Sequence, residues 1–214
     1  MASKAKASKS KAKSKSSKSK AKAKSKAKSK AKAAMKPAAA AAAAAALKIA
    51  GLEGFGLEPE FAAKLAQLLA KCKSLGLDFR ISQGLRTPQT QAKYYCQWAK
   101  RSPADIDAAA AKMKASGAPW LASLLQELRD IPRIKRWQTS QLPGSGWHQW
   151  GEAADCYCYR NGKMVEDGND PVYRQYAKLA EELGLTAGLH FSTPDAGHVQ
   201  LRKAAGATSV FSWP

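Results

Sequence analysis

The chain has 214 residues, with 36 Lys and Arg against 16 Asp and Glu. The excess is local: residues 1–36 hold fifteen Lys, no acidic residue and little besides Ala and Ser, which leaves 21 basic against 16 acidic residues in the remainder. That length allows one domain plus an appendage, and no stretch is long and apolar enough to span a bilayer.

Residues 1–37 read as a disordered Lys/Ala/Ser-rich tail. They lack large apolar side chains to offset chain entropy, and Lys at every second or third position sets like charges at i,i+4 in any helix. After Pro37 an unbroken alanine run, Ala38 to Ala46, opens a linker over 38–54 with strong intrinsic helix propensity. A basic stretch before an apolar run loosely suits a signal peptide, but this one is too long and its run is only alanine. The export route is therefore not visible in the sequence. The folded domain is expected over 55–214.

Pro59 to Leu75 predicts an amphipathic helix, with Phe61, Leu65, Leu68, Leu69, Cys72 and Leu75 on one face and Gly76 as its stop. Leu77 to Ser82 alternates as a short strand. Thr87-Pro88 starts a helix, Thr as N-cap and Pro at the first helical position, running to about Lys100. Two helices split at Gly117-Ala118-Pro119 fill 104–130, and 133–146 is irregular. Glu152 to Tyr159 is a strand, returned through an Asn161-Gly162 hairpin turn to Lys163–Val165. A helix over Val172–Leu183 ends at Gly184, and 185–201 reads as strand, loop and strand. The class is α+β: a small antiparallel sheet with flanking helices, preceded by the basic tail. Cys72, Cys96, Cys156 and Cys158 lack a C-x-x-C pair, so they read as buried free thiols rather than a zinc knuckle.

Three segments carry chemistry. In Gly146-Trp147-His148-Gln149-Trp150-Gly151-Glu152-Ala153-Ala154-Asp155 a loop histidine precedes a strand aspartate by seven residues, and imidazole and carboxylate are both good zinc ligands. In Asp195-Ala196-Gly197-His198 an aspartate precedes a histidine by three. His198 would complete a three-ligand zinc site with an open fourth position for water, and Asp195 is placed to take that water's proton. In Gly84-Leu85-Arg86-Thr87, with Gln91 beyond, an arginine sits between a strand end and a helix start. Its guanidinium suits a carboxylate or the oxyanion of a cleaved amide. Each signal alone also fits a structural hydrogen bond, a surface charge or a turn residue.

Their order resembles the D-alanyl-D-alanine carboxypeptidase and L-alanyl-D-glutamate endopeptidase family, which includes many phage endolysins. That family has G-x-R-[ST]-x-x-x-Q, then S-x-H-x-x-G-x-A-x-D, then D/E-x-x-H. Gly84, Arg86, Thr87 and Gln91 match the first pattern. His148, Gly151, Ala153 and Asp155 match the second, and Asp195 and His198 the third, over roughly 58–202. The resemblance implies a hedgehog/DD-peptidase-like fold and zinc on His148, Asp155 and His198. It further implies Asp195 as general base, Arg86 as the substrate-binding and oxyanion-stabilising group, and Gln91 in support.

Three departures stand out. Gly146 replaces the family's serine two residues before the first histidine, with Ser145 one place away. His190 stands where the family usually has tryptophan, as a pocket-wall residue or a substrate donor. Residues 102–136 form a helical insertion that shapes a substrate groove or merely packs. Trp147 and Trp150 flank His148 and either wall a cleft or pack in the core, as do Trp120 and Trp137.

The leading expectation is zinc-dependent hydrolysis of an amide in peptidoglycan stem peptides by a monomer acting at the cell wall or periplasm, with the L-alanyl-D-glutamate bond favoured. The alternative is a non-catalytic binding protein whose tail holds nucleic acid, lipopolysaccharide or another anionic wall polymer through charge alone. A degenerate relative keeping zinc as a staple is a third reading, against which the intact Asp195 argues.

Overall fold

The computed structural model describes residues 51–135 and 138–201, all within one compact unit, Ala45–Pro214. The tail, the linker up to residue 50 and Trp137 lie outside the described residues. Helix α1 (Pro59–Ser74) begins where Glu58 caps it, its carboxylate accepting from the Phe61 N–H at 3.0 Å. Its apolar face buries Phe61, Leu65, Leu68 and Cys72 completely. Each such large side chain taken out of water contributes on the order of 1.5–3 kcal/mol.

That face packs on a five-stranded antiparallel sheet. Strand β1 (Asp78–Gln83) pairs with the long β2 (Ala153–Arg160), which pairs in turn with β5 (His198–Gln200) and, across the Asn161-Gly162 turn, with β3 (Lys163–Met164). Strand β4 (Thr186–Ala187) flanks β5. On the core side Phe79, Cys156, Cys158 and Val199 meet α1 and Tyr173 and Tyr176 of a later helix (Pro171–Glu182). Phe79 stacks on Tyr176 with ring centroids 4.3 Å apart. The four cysteines are buried and free.

Between β1 and β2 lie three helices: α2 (Pro88–Gln97), α3 (Pro103–Ala115) and α4 (Pro119–Glu127). They form a second apolar cluster around Tyr95, Cys96, Ile106, Met113, Leu121 and Leu125. A reciprocal capping box between Ser102 and Asp105 starts α3. The expected run of α2 to Lys100 is cut short: Trp98 turns to extended backbone, and the Ala99 N–H donates to the Ile134 carbonyl at 2.9 Å. The helix Pro171–Glu182, α5 hereafter, begins at Asp170, whose carboxylate accepts from the Val172 N–H at 3.0 Å.

Candidate active site

One end of the sheet gathers the three chemical segments. In the ladders, Asp155 of β2 stands opposite His198 of β5 on one side and Gln83 of β1 on the other. Opposed residues project to the same face, so the register alone places Asp155 beside His198. His148 arrives from a different direction, on a 3-10 turn over Trp147–Trp150 that follows the irregular stretch. The turn closes at Gly151 with φ +67°, the left-handed region that glycine enters freely.

The result is a cluster in which one nitrogen of His148, one carboxylate oxygen of Asp155 and one nitrogen of His198 all lie within 4.8 Å of one another. Asp155 Oδ1 is 3.2 Å from His148 Nε2 and 3.0 Å from His198 Nδ1. The opposite nitrogen of each ring is engaged. His148 Nδ1–H donates to the Gly84 carbonyl at 2.8 Å, and His198 Nε2–H to Gln200 Oε1 at 3.1 Å. A carbonyl only accepts, so Nδ1 of His148 carries a proton and Nε2 is the nitrogen turned toward Asp155. Two oriented imidazoles and a largely buried carboxylate are a donor set that suits zinc.

The electrostatics agree with that set. Burial alone would raise the Asp155 pKa, yet the hydrogen bonds and charges of His148 and His198 hold it well below the usual carboxylate range. Burial disfavours charge on His198, but the hydrogen bond and charge of Asp155, with Asp195 adding to them, outweigh it and raise its pKa. Asp195 itself is raised, first by burial and then by the charge of Asp155. It lies on a tight turn just ahead of His198: the Asp195 N–H donates to the Gly188 carbonyl at 2.9 Å, and a Cβ on Gly188 would sit 2.6 Å from the Asp195 carbonyl oxygen and 2.7 Å from His198 Cβ.

Arg86 closes the other side, its side chain nearly buried and its Nη2 3.5 Å from Asp155 Oδ2. Its Nη1 donates to Gln91 Oε1 at 2.9 Å. Gln91 is fixed in turn, donating to Thr139 Oγ1 at 3.2 Å and to the Gln141 carbonyl at 2.7 Å. Burial lowers the Arg86 pKa, with Asp155 opposing. The arginine and histidine segments are laced together, because the Arg86 N–H donates to the His148 carbonyl at 2.9 Å.

Sequence reading missed four contributors. A strap over 54–58 lies on both segments: Leu85 N–H donates to the Phe55 carbonyl at 2.7 Å, and Glu58 N–H to the Gly151 carbonyl at 2.9 Å. A Cβ on Gly84 would meet the Phe55 carbonyl oxygen at 2.5 Å, and one on Gly151 the Gly56 carbonyl oxygen at 2.6 Å. Gln149 holds the histidine turn by accepting from the Gly144 N–H at 2.6 Å, while Ser145 donates to the Leu142 carbonyl at 2.8 Å. Gln83 is the second acceptor for Arg86, at 3.0 Å from Nε.

The fourth is Phe191. His190 is largely exposed and its Nε2 lies 3.4 Å from Glu181 Oε1. The neighbouring Phe191 ring instead lies 5.6 Å from the His198 ring. The aromatic beside the last histidine is thus one position later than the sequence pattern suggests. Trp147 is half-buried at the start of the histidine turn, and Trp120 is exposed on α4.

The VanY family profile, described as D-alanyl-D-alanine carboxypeptidase, matches residues 54–203. The chain belongs to the VanY family. No curated protein matches it. Among solved structures, similar chains include a variant of the vancomycin-resistance D,D-pentapeptidase VanY from a VanB-type resistance cassette in complex with Zn(II), at 17% identity and TM-score 0.40 over 67% of this chain and 71% of that one. The L-Ala D-Glu endopeptidase ChiX of Serratia marcescens is similar at 16% identity and TM-score 0.37, over 69% and 81%. VanYB in complex with D-alanine-D-alanine matches at 18% and 0.40, over 67% and 70%. As a VanY-family member the chain is a zinc peptidase, and His148, Asp155 and His198 form a group able to hold the ion.

Proposed function

We propose that the chain hydrolyses an amide bond in peptidoglycan stem peptides, with zinc held by His148, Asp155 and His198. The observation that carries this reading is the convergence of those three donors within 4.8 Å. When bound, zinc supplies Lewis acidity, lowering the pKa of water and polarising an amide carbonyl. Asp195 takes the proton of the attacking water and returns it to the leaving amine. Arg86 binds a substrate carboxylate or the developing oxyanion, Gln91 steadies it, and Trp147 and Phe191 wall the site.

The bond favoured is L-alanyl-D-glutamate, on the endolysin-like Gly84-Leu85-Arg86-Thr87 segment. The family description favours the D-alanyl-D-alanine bond as the second reading. Mass spectrometry of purified peptidoglycan after digestion separates them. Muropeptides cut behind L-alanine support the endopeptidase, and free D-alanine supports the carboxypeptidase. Digestion that persists in a strong chelator would overturn both.

The enzyme acts at the cell wall or in the periplasm; among the described residues no helix is long and apolar enough to cross a membrane. The fifteen lysines of residues 1–36 hold it to an anionic wall polymer by charge. Deleting 1–36 then slows wall lysis in low salt and changes nothing in high salt. An unchanged rate in low salt removes that role.

A further inference from the structure

The end of β1 is irregular. Ile81 pairs with Cys156, and simple alternation would set Ser82 opposite Asp155, but a register shift puts Gln83 there instead. Such a bulge re-aims a side chain. Here it puts a long amide on the face that carries Asp155 and His198. Gln83 Oε1 accepts from both Nε and Nη2 of Arg86, and Gln91 Oε1 accepts from Nη1.

Both of these acceptors are neutral. They fix the plane of the guanidinium without cancelling its charge. The carboxylate paired with Arg86 is Asp155 at 3.5 Å, and Asp155 is already engaged by two imidazoles. In a nearly buried setting an extra carboxylate would form a close bidentate pair with Arg86 and quench its field.

We propose that Gln83 is a positioning residue that aims the Arg86 guanidinium at the anionic group of the substrate while adding no negative charge of its own beside it. This rests on the reading of Arg86 given under Proposed function. Gln83→Glu keeps the acceptor and adds one charge; Gln83→Leu removes the acceptor and adds none.

The experiment measures kcat and KM of the zinc-loaded full chain on a stem peptide with its carboxylate free and on the same peptide amidated. The variants are Gln83→Glu, Gln83→Leu and Arg86→Ala, each checked for zinc content and melting temperature. In Gln83→Glu, kcat/KM on the free-carboxylate peptide should fall at least tenfold, mainly through KM, and the preference over the amidated peptide should collapse toward one. Gln83→Leu should lose several-fold and retain part of that preference. A residue that merely holds the fold would leave Gln83→Glu, its near-isostere, close to wild type. If Arg86→Ala is impaired while Gln83→Glu stays within twofold of wild type with its preference intact, this inference alone is overturned. If Arg86→Ala is itself unimpaired, the parent reading of Arg86 fails and takes this one with it. Should Gln83→Glu not fold, Gln83→Leu decides: wild-type kinetics there overturn the proposal.

Discussion

Asp155 and His198 stand opposite one another in adjacent antiparallel strands, with Oδ1 and Nδ1 3.0 Å apart. The sheet ladder itself therefore sets the spacing of two of the three candidate ligands. Two rigid strands hold a donor pair more closely than loops would.

Removing either imidazole should empty the site. His148→Ala and His198→Ala are expected to copurify with little zinc and to lose activity by more than about 100-fold, since losing even a hydrogen-bond partner of a ligand costs about 10–100-fold. Metal analysis of the dialysed proteins beside a peptidoglycan lysis assay checks this. A zinc-replete His198→Ala would show that the ion sits elsewhere.

Asp195→Asn should separate binding from turnover. The amide keeps the shape but accepts no proton, so zinc content stays stoichiometric while kcat falls by about 10²–10⁴-fold, the usual contribution of a general base. KM should move little. Full turnover in this variant removes Asp195 as the base.

Gly151→Ala tests the floor of the site. The substitution meets a strained φ of +67° and places Cβ 2.6 Å from the Gly56 carbonyl oxygen and 2.9 Å from the Glu58 nitrogen. Gly117→Ala is the matched control, with φ +84° and nothing within 4 Å. Strain alone costs about 1–2 kcal/mol, so the control should lose roughly that much and Gly151→Ala distinctly more. Urea unfolding midpoints measure both, and equal losses would mean the strap yields freely.

The thiols should be silent in the native state. Burial, the largest cause in each case, pushes Cys72 and Cys156 up to about 12 and Cys96 to about 11. A raised thiol pKa lowers the reactive thiolate at any pH below it, to on the order of 10⁻⁴ at pH 8 for a pKa of 12. Iodoacetamide at pH 8 is expected to leave Cys72, Cys96 and Cys156 unmodified in the folded protein and to modify all of them in denaturant. Mass spectrometry of tryptic peptides reads the outcome, and rapid native labelling of Cys156 would contradict its burial.

Much of this architecture is legible in the chain because its signals are local. Thr87-Pro88 caps a helix by hydrogen bonding within one turn, and Asn161-Gly162 makes a hairpin without help from elsewhere. The two histidines and Asp155 are ambiguous one by one and become legible through the order of the three motifs and the family they resemble. Gln83 does not, because its direction depends on a bulge that exists only in pairing with β2. Phe191 is hidden for a similar reason. A 3-10 turn over Gly188–His190 leaves His190 against Glu181 and brings the next residue to His198. The strap is unreadable in advance, since its bonds are made by backbone atoms that any sequence possesses.

That strap carries the folded unit upstream of its first helix. By secondary structure the unit would begin at Pro59, yet the carbonyl of Phe55 and the amide of Glu58 already belong to the scaffold beneath Arg86 and His148. Any shortening or fusion at the N-terminal side has to spare residues 54–58. A version beginning at Pro59 would keep every side chain assigned to chemistry and still lose the backing that aligns them.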